Sequence, residues 1–304
     1  MQRVLVTGAS GFLGKALVEN LLENGIEVYA VVHSKENSLA IEHGNLTVLA
    51  CAMQHINSLS ERIHGNIDVC YHLAWEGTSG RLRGDYSIQM ANVSSSCALI
   101  ETCKKLGCKK MIFASTIMIY EYEKVWQCGR IPGESSFYSI AKKTAGDMMR
   151  ILCKKYQISY ACVLISNVFG PGEKSARLVN TIIRRLLKGE EVELTEGKQQ
   201  YDFIYIKDAV AALYYVGKSN FDRKEYYIGS TQPKPLREYL LTIGKKMGKE
   251  HLLKFGKIPF DISTSLAYTE FDMFGLYKET GFQRNITFEE GIDLTIQAIE
   301  RESY

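Results

Sequence analysis

A tyrosine and a lysine stand four residues apart in Tyr138-Ser139-Ile140-Ala141-Lys142. On a helix that spacing puts both side chains on one face. A nearby ammonium favours the phenolate and draws a tyrosine pKa down from about 10. Such a tyrosine can pass a proton to a carbonyl oxygen as hydride arrives at the carbon. Tyr120 with Lys124 and Tyr214 with Lys218 share the spacing, so context has to choose. Tyr138 opens a helical stretch after Pro132-Gly133, with Ser135 or Ser136 as cap, just beyond the carboxyl end of a strand. Ligands collect there in an open parallel sheet. Ser115-Thr116 ends that strand, where a hydroxyl reaches the same carbonyl oxygen.

The run Thr7-Gly8-Ala9-Ser10-Gly11-Phe12-Leu13-Gly14 follows a first strand and opens a first helix. Gly8 permits a tight turn, Gly11 lets backbone approach a pyrophosphate, and Gly14 allows close helix–strand packing. Ser10, Phe12 and Leu13 then bring free amides and the positive end of a helix dipole to the phosphates. These residues predict a dinucleotide site. At the end of the second strand stand His33-Ser34-Lys35, where an NAD site usually places an acid. With no acid there and cationic or donor groups in its place, the expected cofactor is NADP, with NAD also admissible.

These groups need a scaffold, and the apolar pattern supplies one. Val4 to Thr7, Glu27 to Val32, Leu46 to Leu49, Ile67 to Leu73, Lys110 to Ser115 and Ser159 to Leu164 read as strands buried on both faces. Helical stretches separate them. Examples are Phe12 to Asn24, a stripe from Tyr86 to Cys103 and another from Phe137 to Leu152. Alternation of this kind means a doubly wound parallel sheet of the Rossmann kind. The reading places a dinucleotide-binding domain at 1–166, with 201–230 returning to it. A smaller, discontinuous substrate-binding part takes 167–200 and 231–304. In that part Arg177 to Lys188 reads as a basic helix and Asp202 to Ile206 as a strand. Asp208 is a candidate cap for a helix from Ala209 to Val216.

Composition excludes several functions. Of 304 residues, 46% are hydrophobic and 23% charged, and 37 basic against 34 acidic residues leave a net charge of +3. That balance speaks against nucleic acid or an anionic membrane as partner. No apolar run approaches the roughly 18 residues of a membrane span. Glycines and polar residues break the N-terminal apolar stretch, so no signal peptide is expected. The 8 cysteines show no paired zinc-type spacing. They read as reduced core cysteines of a cytoplasmic protein that holds no metal.

Together the motifs resemble the extended short-chain dehydrogenase/reductase family, the NAD(P)-dependent nucleotide-sugar epimerases, dehydratases and reductases. The resemblance spans nearly the whole chain. It rests on Thr7 to Gly14, His72-Leu73-Ala74-Trp75, Asn92, Ser115-Thr116 with Tyr120, Tyr138 with Lys142, Asn167 to Gly172, and Gln200 to Asp208. It implies Thr116, Tyr138 and Lys142 as catalytic residues, with Lys142 also on the nicotinamide ribose. Ala74 would line the cofactor site, and Asn167 would touch a nucleotide-sugar substrate. It also implies a homodimer built on the helices near Tyr86 to Cys103 and Phe137 to Leu152.

Departures from the pattern narrow the reaction. The 4,6-dehydratases of that family carry Asp-Glu directly after the catalytic Thr; here Ile117-Met118 stand there and transfer no proton. Tyr201 replaces the Arg that commonly grips the diphosphate, leaving Arg177, Arg184 or Arg185 to compensate. The resulting expectation is an NADPH-dependent ketoreductase delivering hydride to C4 of a nucleotide-linked 4-keto-6-deoxy sugar. A nucleotide-sugar C4 epimerase and a non-catalytic dinucleotide sensor are the alternatives.

Overall fold

The computed structural model describes residues 1–37, 39–220 and 225–302. Six strands, β1 Arg3–Thr7, β2 Glu27–Val32, β3 Leu46–Ala50, β4 Val69–His72, β5 Lys110–Thr116 and β6 Ser159–Ile165, build most of one sheet. Glu225–Ile228 adds a seventh strand beside β6, and the order is Glu225–Ile228, β6, β5, β4, β1, β2, β3. All the pairings are parallel. Parallel strands are covered on both faces, so they need apolar side chains on both. Accordingly, all seven residues of β5 are buried. Even Lys110 follows this pattern, with its ammonium on the carbonyls of Val216 at 2.7 Å and Ser219 at 2.9 Å.

The helices are α1 Phe12–Glu23, α2 Leu59–Arg62, α3 Tyr86–Lys105, α4 Met118–Gln127, α5 Phe137–Tyr156, α6 Leu178–Leu187, α7 Ile206–Lys218, α8 Leu236–Met247, α9 Gly275–Thr280 and α10 Phe288–Glu302. On one face of the sheet α1 and α7 bury Leu17, Val18, Leu21, Val210 and Leu213. On the other, α3 and α5 bury Leu99, Ile100, Cys103, Ala145 and Met149. Each of the valines, leucines, isoleucine and methionine among them contributes about 1.5–3 kcal/mol by leaving water. The strand order reverses between β1 and β4, and that switch point opens the crevice above their carboxyl ends.

Three details depart from the sequence reading. The stripe Phe137, Ile140 and Met148 faces outward, and Ala141, Ala145, Met149 and Cys153 take the buried row of α5. Phe203–Tyr205 does pair as a strand, but with β7 Asn167–Phe169 outside the main sheet. Asp208 does not cap a helix. Because α7 begins at Ile206, Asp208 lies in its first turn. Its carboxylate accepts instead from the amides of Asn285 at 3.0 Å and Ile286 at 2.9 Å, tying the chain before α10 to α7. An aromatic cluster seals the same region, with Phe203 4.9 Å from Tyr239 and Phe169 5.1 Å from Phe288 between ring centroids.

Candidate active site

The glycine turn is built as its spacing predicts. Gly8 has φ +70°, and a Cβ there would meet the Ala74 amide nitrogen at 2.6 Å, so only glycine fits. Gly14 lies against the Gly8 carbonyl and permits no side chain either. Gly11 is the N-cap of α1, and no side chain caps that helix. Its first amides therefore face the cleft without an intramolecular acceptor. A dinucleotide's phosphates fit this cradle of bare backbone.

Behind the turn, a buried network fixes the tips of β1 and β4. Ser96 donates to the Asn92 carbonyl at 2.7 Å, so its oxygen is left to accept from His72 Nε2 at 2.9 Å. His72 Nδ1 then accepts from the Thr7 hydroxyl at 2.8 Å. Burial holds His72 neutral, with its pKa lowered to about 3. The Thr7 oxygen in turn receives the Ala74 amide at 3.3 Å. Asn92 grips both backbone groups of Glu76, accepting at 3.0 Å and donating at 2.9 Å. His72 and Asn92 are thus structural members of the motif.

One cavity of ≈ 610 Å³ gathers Gly8, Ser10, Gly11, Phe12, Leu13, Gly14, His33, Ala74, Thr116, Tyr138, Lys142 and Arg177. Most of the expected residues therefore meet. Asn167 lies elsewhere, in a second cavity of ≈ 300 Å³ with Glu121, Ser136, Gln200, Tyr201 and Tyr268. Ser34 and Lys35 do not line the cleft, and the Ser34 hydroxyl bonds the Glu36 carboxylate. Glu36 sits in the same turn, Lys35–Asn37, one residue beyond the lysine. Arg184 and Arg185 also lie off the cleft, on Glu302 at 2.8 Å and Glu190 at 3.2 Å. Of the three candidate arginines only Arg177 reaches it, and it pairs with buried Glu173 at 3.0 Å.

The other Tyr–Lys pairs fall away. Tyr120 donates to Glu225 at 2.9 Å, and Lys218 lies 5.2 Å from the Tyr214 ring, off the cleft. Tyr138 is the tyrosine among the cleft's lining residues, and its phenol hydrogen-bonds Thr116. Burial pushes the phenol above its ordinary pKa, opposed by the guanidinium groups of Arg177 and Arg83 and by the Thr116 bond.

Lys142 behaves differently from the expectation. Its ammonium donates to the Ala114 carbonyl at 2.7 Å and sits 3.9 Å from the Trp75 ring centroid. Burial lowers it to about 7. The expected polarisation of Tyr138 by Lys142 is therefore not what the structure displays; Arg177 and Arg83 act on the phenol instead. Sequence reasoning missed Arg83 and Glu121, since no motif includes them. It also missed Glu173, which no local spacing distinguishes from a surface acid. Among the described residues, no group of three His, Cys, Asp or Glu could hold a metal ion.

Comparison with known proteins shows the family and the fold. Residues 4–229 match the NAD dependent epimerase/dehydratase family. The chain is 27% identical to CDP-abequose synthase of Salmonella typhimurium over 305 residues, covering 95% of this chain and 96% of that one. It is 24% identical to dTDP-4-dehydro-6-deoxyglucose reductase of Escherichia coli over 314 residues, with 97% of each covered. In fold it is similar to the UDP-N-acetylglucosamine 4-epimerase of Methanobrevibacter ruminantium, with a TM-score of 0.81, 22% identity and 99% of both chains covered. UDP-glucose 4-epimerase of Thermotoga maritima gives 0.79 at 22% identity, with 100% of both covered. The chain belongs to the NAD dependent epimerase/dehydratase family and is an NAD(P)-dependent enzyme of the extended short-chain dehydrogenase/reductase type.

Proposed function

We propose that the protein is an NADPH-dependent ketoreductase acting at C4 of a nucleotide-linked 4-keto-6-deoxy sugar. The observation that carries this reading is the hydrogen-bonded pair Thr116 and Tyr138 on the wall of the glycine-turn cleft, its phenol held protonated by burial. A protonated phenol is the form that donates. When bound, the nicotinamide supplies hydride. Thr116 and Tyr138 bind and orient the keto oxygen, and Tyr138 gives it a proton. Lys142 would hold the nicotinamide ribose, and its proton is exchangeable near pH 7. Ile117 and Met118 offer no proton donor or acceptor, which speaks against dehydration. The names of the two curated relatives, a CDP-abequose synthase and a 4-dehydro-6-deoxyglucose reductase, support the same reading.

The cavity lined by Asn167 and Tyr201 suits the nucleotide end of such a substrate. Burial keeps the Tyr201 phenol neutral, pushed up to about 12, so it replaces a cationic grip with a hydrogen-bonding one. Tyr86, Met90, Phe137, Ile140, Met148 and Ile151 leave an exposed apolar face on α3 and α5. We assign that face to a second copy of the chain, giving a homodimer. All eight cysteines are free thiols, which fits a cytoplasmic protein.

Glu36 favours a second reading. Glu36 follows the second strand in the turn Lys35–Asn37, off the lining of the cleft; an acid near that strand end suits NAD, and a C4 epimerase keeps its NAD bound throughout. Incubation with NADPH and a nucleoside-diphosphate 4-keto-6-deoxy sugar separates the two. A reductase consumes one NADPH per sugar, whereas an epimerase interconverts sugars with no net consumption.

A further inference from the structure

Arg83 lies on a single turn, Arg81–Gly84, between the loop that carries Trp75 and helix α3. Its guanidinium carbon stands 4.8 Å from the centroid of the Tyr138 ring. One terminal nitrogen donates to the Met118 thioether at 2.7 Å. Its Nε is buried and has no hydrogen-bond partner among the described residues. No carboxylate pairs with it there.

The other charged groups around Tyr138 each have a partner of their own, although Arg177 still acts on the phenol. Arg177, in front of α6, is held by Glu173 at 3.0 Å. Lys142, on Tyr138's own helix, is held by the Ala114 carbonyl and the Trp75 ring. Thr116 from β5 is uncharged, and Trp75 presents only an edge-on ring at 6.3 Å. Glu121 from α4 feels Arg83, but burial raises its pKa and weakens it as a counter-charge.

We propose that Arg83 is a positioning residue for Tyr138, fixing the ring by stacking on its face and adding an unpaired positive charge to that of Arg177 beside the phenol. The assignment rests on the reading of Tyr138 as proton donor. A cation within about 4–6 Å of an acid shifts its proton equilibrium by ten- to a thousandfold. Cation–π stacking adds orientation, because a guanidinium favours the ring face.

The test needs no substrate for its main arm. Tyr138 is replaced by 3,5-difluorotyrosine, whose phenol titrates nearer neutrality, and followed by ¹⁹F NMR against pH. Arg83→Met, which keeps the stem and loses the charge, should weaken the phenol's acidity about tenfold or more. Arg83→Lys should retain most of the wild-type value, which a purely packing role would not distinguish. Should Arg83→Met not fold, Arg83→Gln takes its place. An unchanged titration in the uncharged variant overturns the proposal. A companion assay uses NADPH and a nucleoside-diphosphate 4-keto-6-deoxy sugar. Loss of turnover in Tyr138→Phe with an unchanged titration in Arg83→Met removes Arg83 alone. Normal turnover in Tyr138→Phe removes the proton-donor reading itself.

Discussion

The ammonium of Lys142 sits 3.9 Å from the centroid of the Trp75 ring, inside a wall only 3% of whose lysine surface meets solvent. A ring face and one carbonyl replace far less hydration than water gave, which is why burial brings the lysine to about 7.

A consequence for stability follows. Between about pH 7 and 10.5 the unfolded chain keeps this proton while the folded chain sheds it. The unfolded state then binds more protons, so this group makes stability rise with pH, by at most about 1.4 kcal/mol per pH unit. Lys142→Met removes the effect. Its melting temperature relative to wild type should be highest near pH 7 and fall steadily towards pH 10.5. A constant difference across that range contradicts the burial argument.

His33 lines the cleft, and Lys35 and Glu36, neighbours of opposite charge in the next turn, lie just outside it, where they act on a cofactor only through space. NADPH should bind more tightly than NADH, but by a modest margin, because Glu36 opposes the 2′-phosphate. Lys35→Ala should narrow the margin and Glu36→Gln widen it, both less so at high salt. Calorimetric titration of the three proteins with both cofactors decides. Tighter NADH binding in the wild type would move the assignment towards an epimerase.

No 4,6-dehydratase activity is expected. Elimination needs a donor and an acceptor next to Thr116, and Ile117 and Met118 are neither. Incubation with nucleoside-diphosphate hexoses should yield no 4-keto-6-deoxy product by mass spectrometry. If that product accumulated, Glu121, half-buried one turn further along α4, would be the group to substitute next.

The apolar face of α3 and α5 gives a test of assembly. Met148 is 45% and Ile151 70% exposed, more than an isolated chain gains from leaving bare. Native mass spectrometry should find a dimer, and a Met148→Glu, Ile151→Glu double variant should be monomeric with cofactor binding retained. A monomeric wild type would leave the face without its assigned occupant.

Much of the site was legible because its signals are local. The glycine spacing encodes one turn, and Tyr138 was picked out by its position after β5 rather than by its lysine. Lys142 shows where such reasoning ends. Helical spacing puts it on Tyr138's face, but a four-carbon stem lets Ala114 and Trp75, from other elements, decide where the charge goes. Arg83 was invisible for the same reason, since only the folded chain brings its turn against α5. The outward stripe of α5 misled because its apolar residues outnumber the alanines that pack inside.

The central claim is that Tyr138 protonates a carbonyl at C4 as hydride arrives there. Its most direct test uses NADPH deuterated at the transferring position, with a nucleoside-diphosphate 4-keto-6-deoxy sugar. The product should carry one deuterium on C4, and Tyr138→Phe should form it about 10²-fold or more slowly while binding cofactor normally. Deuterium absent from C4, or an undiminished rate in Tyr138→Phe, contradicts the account.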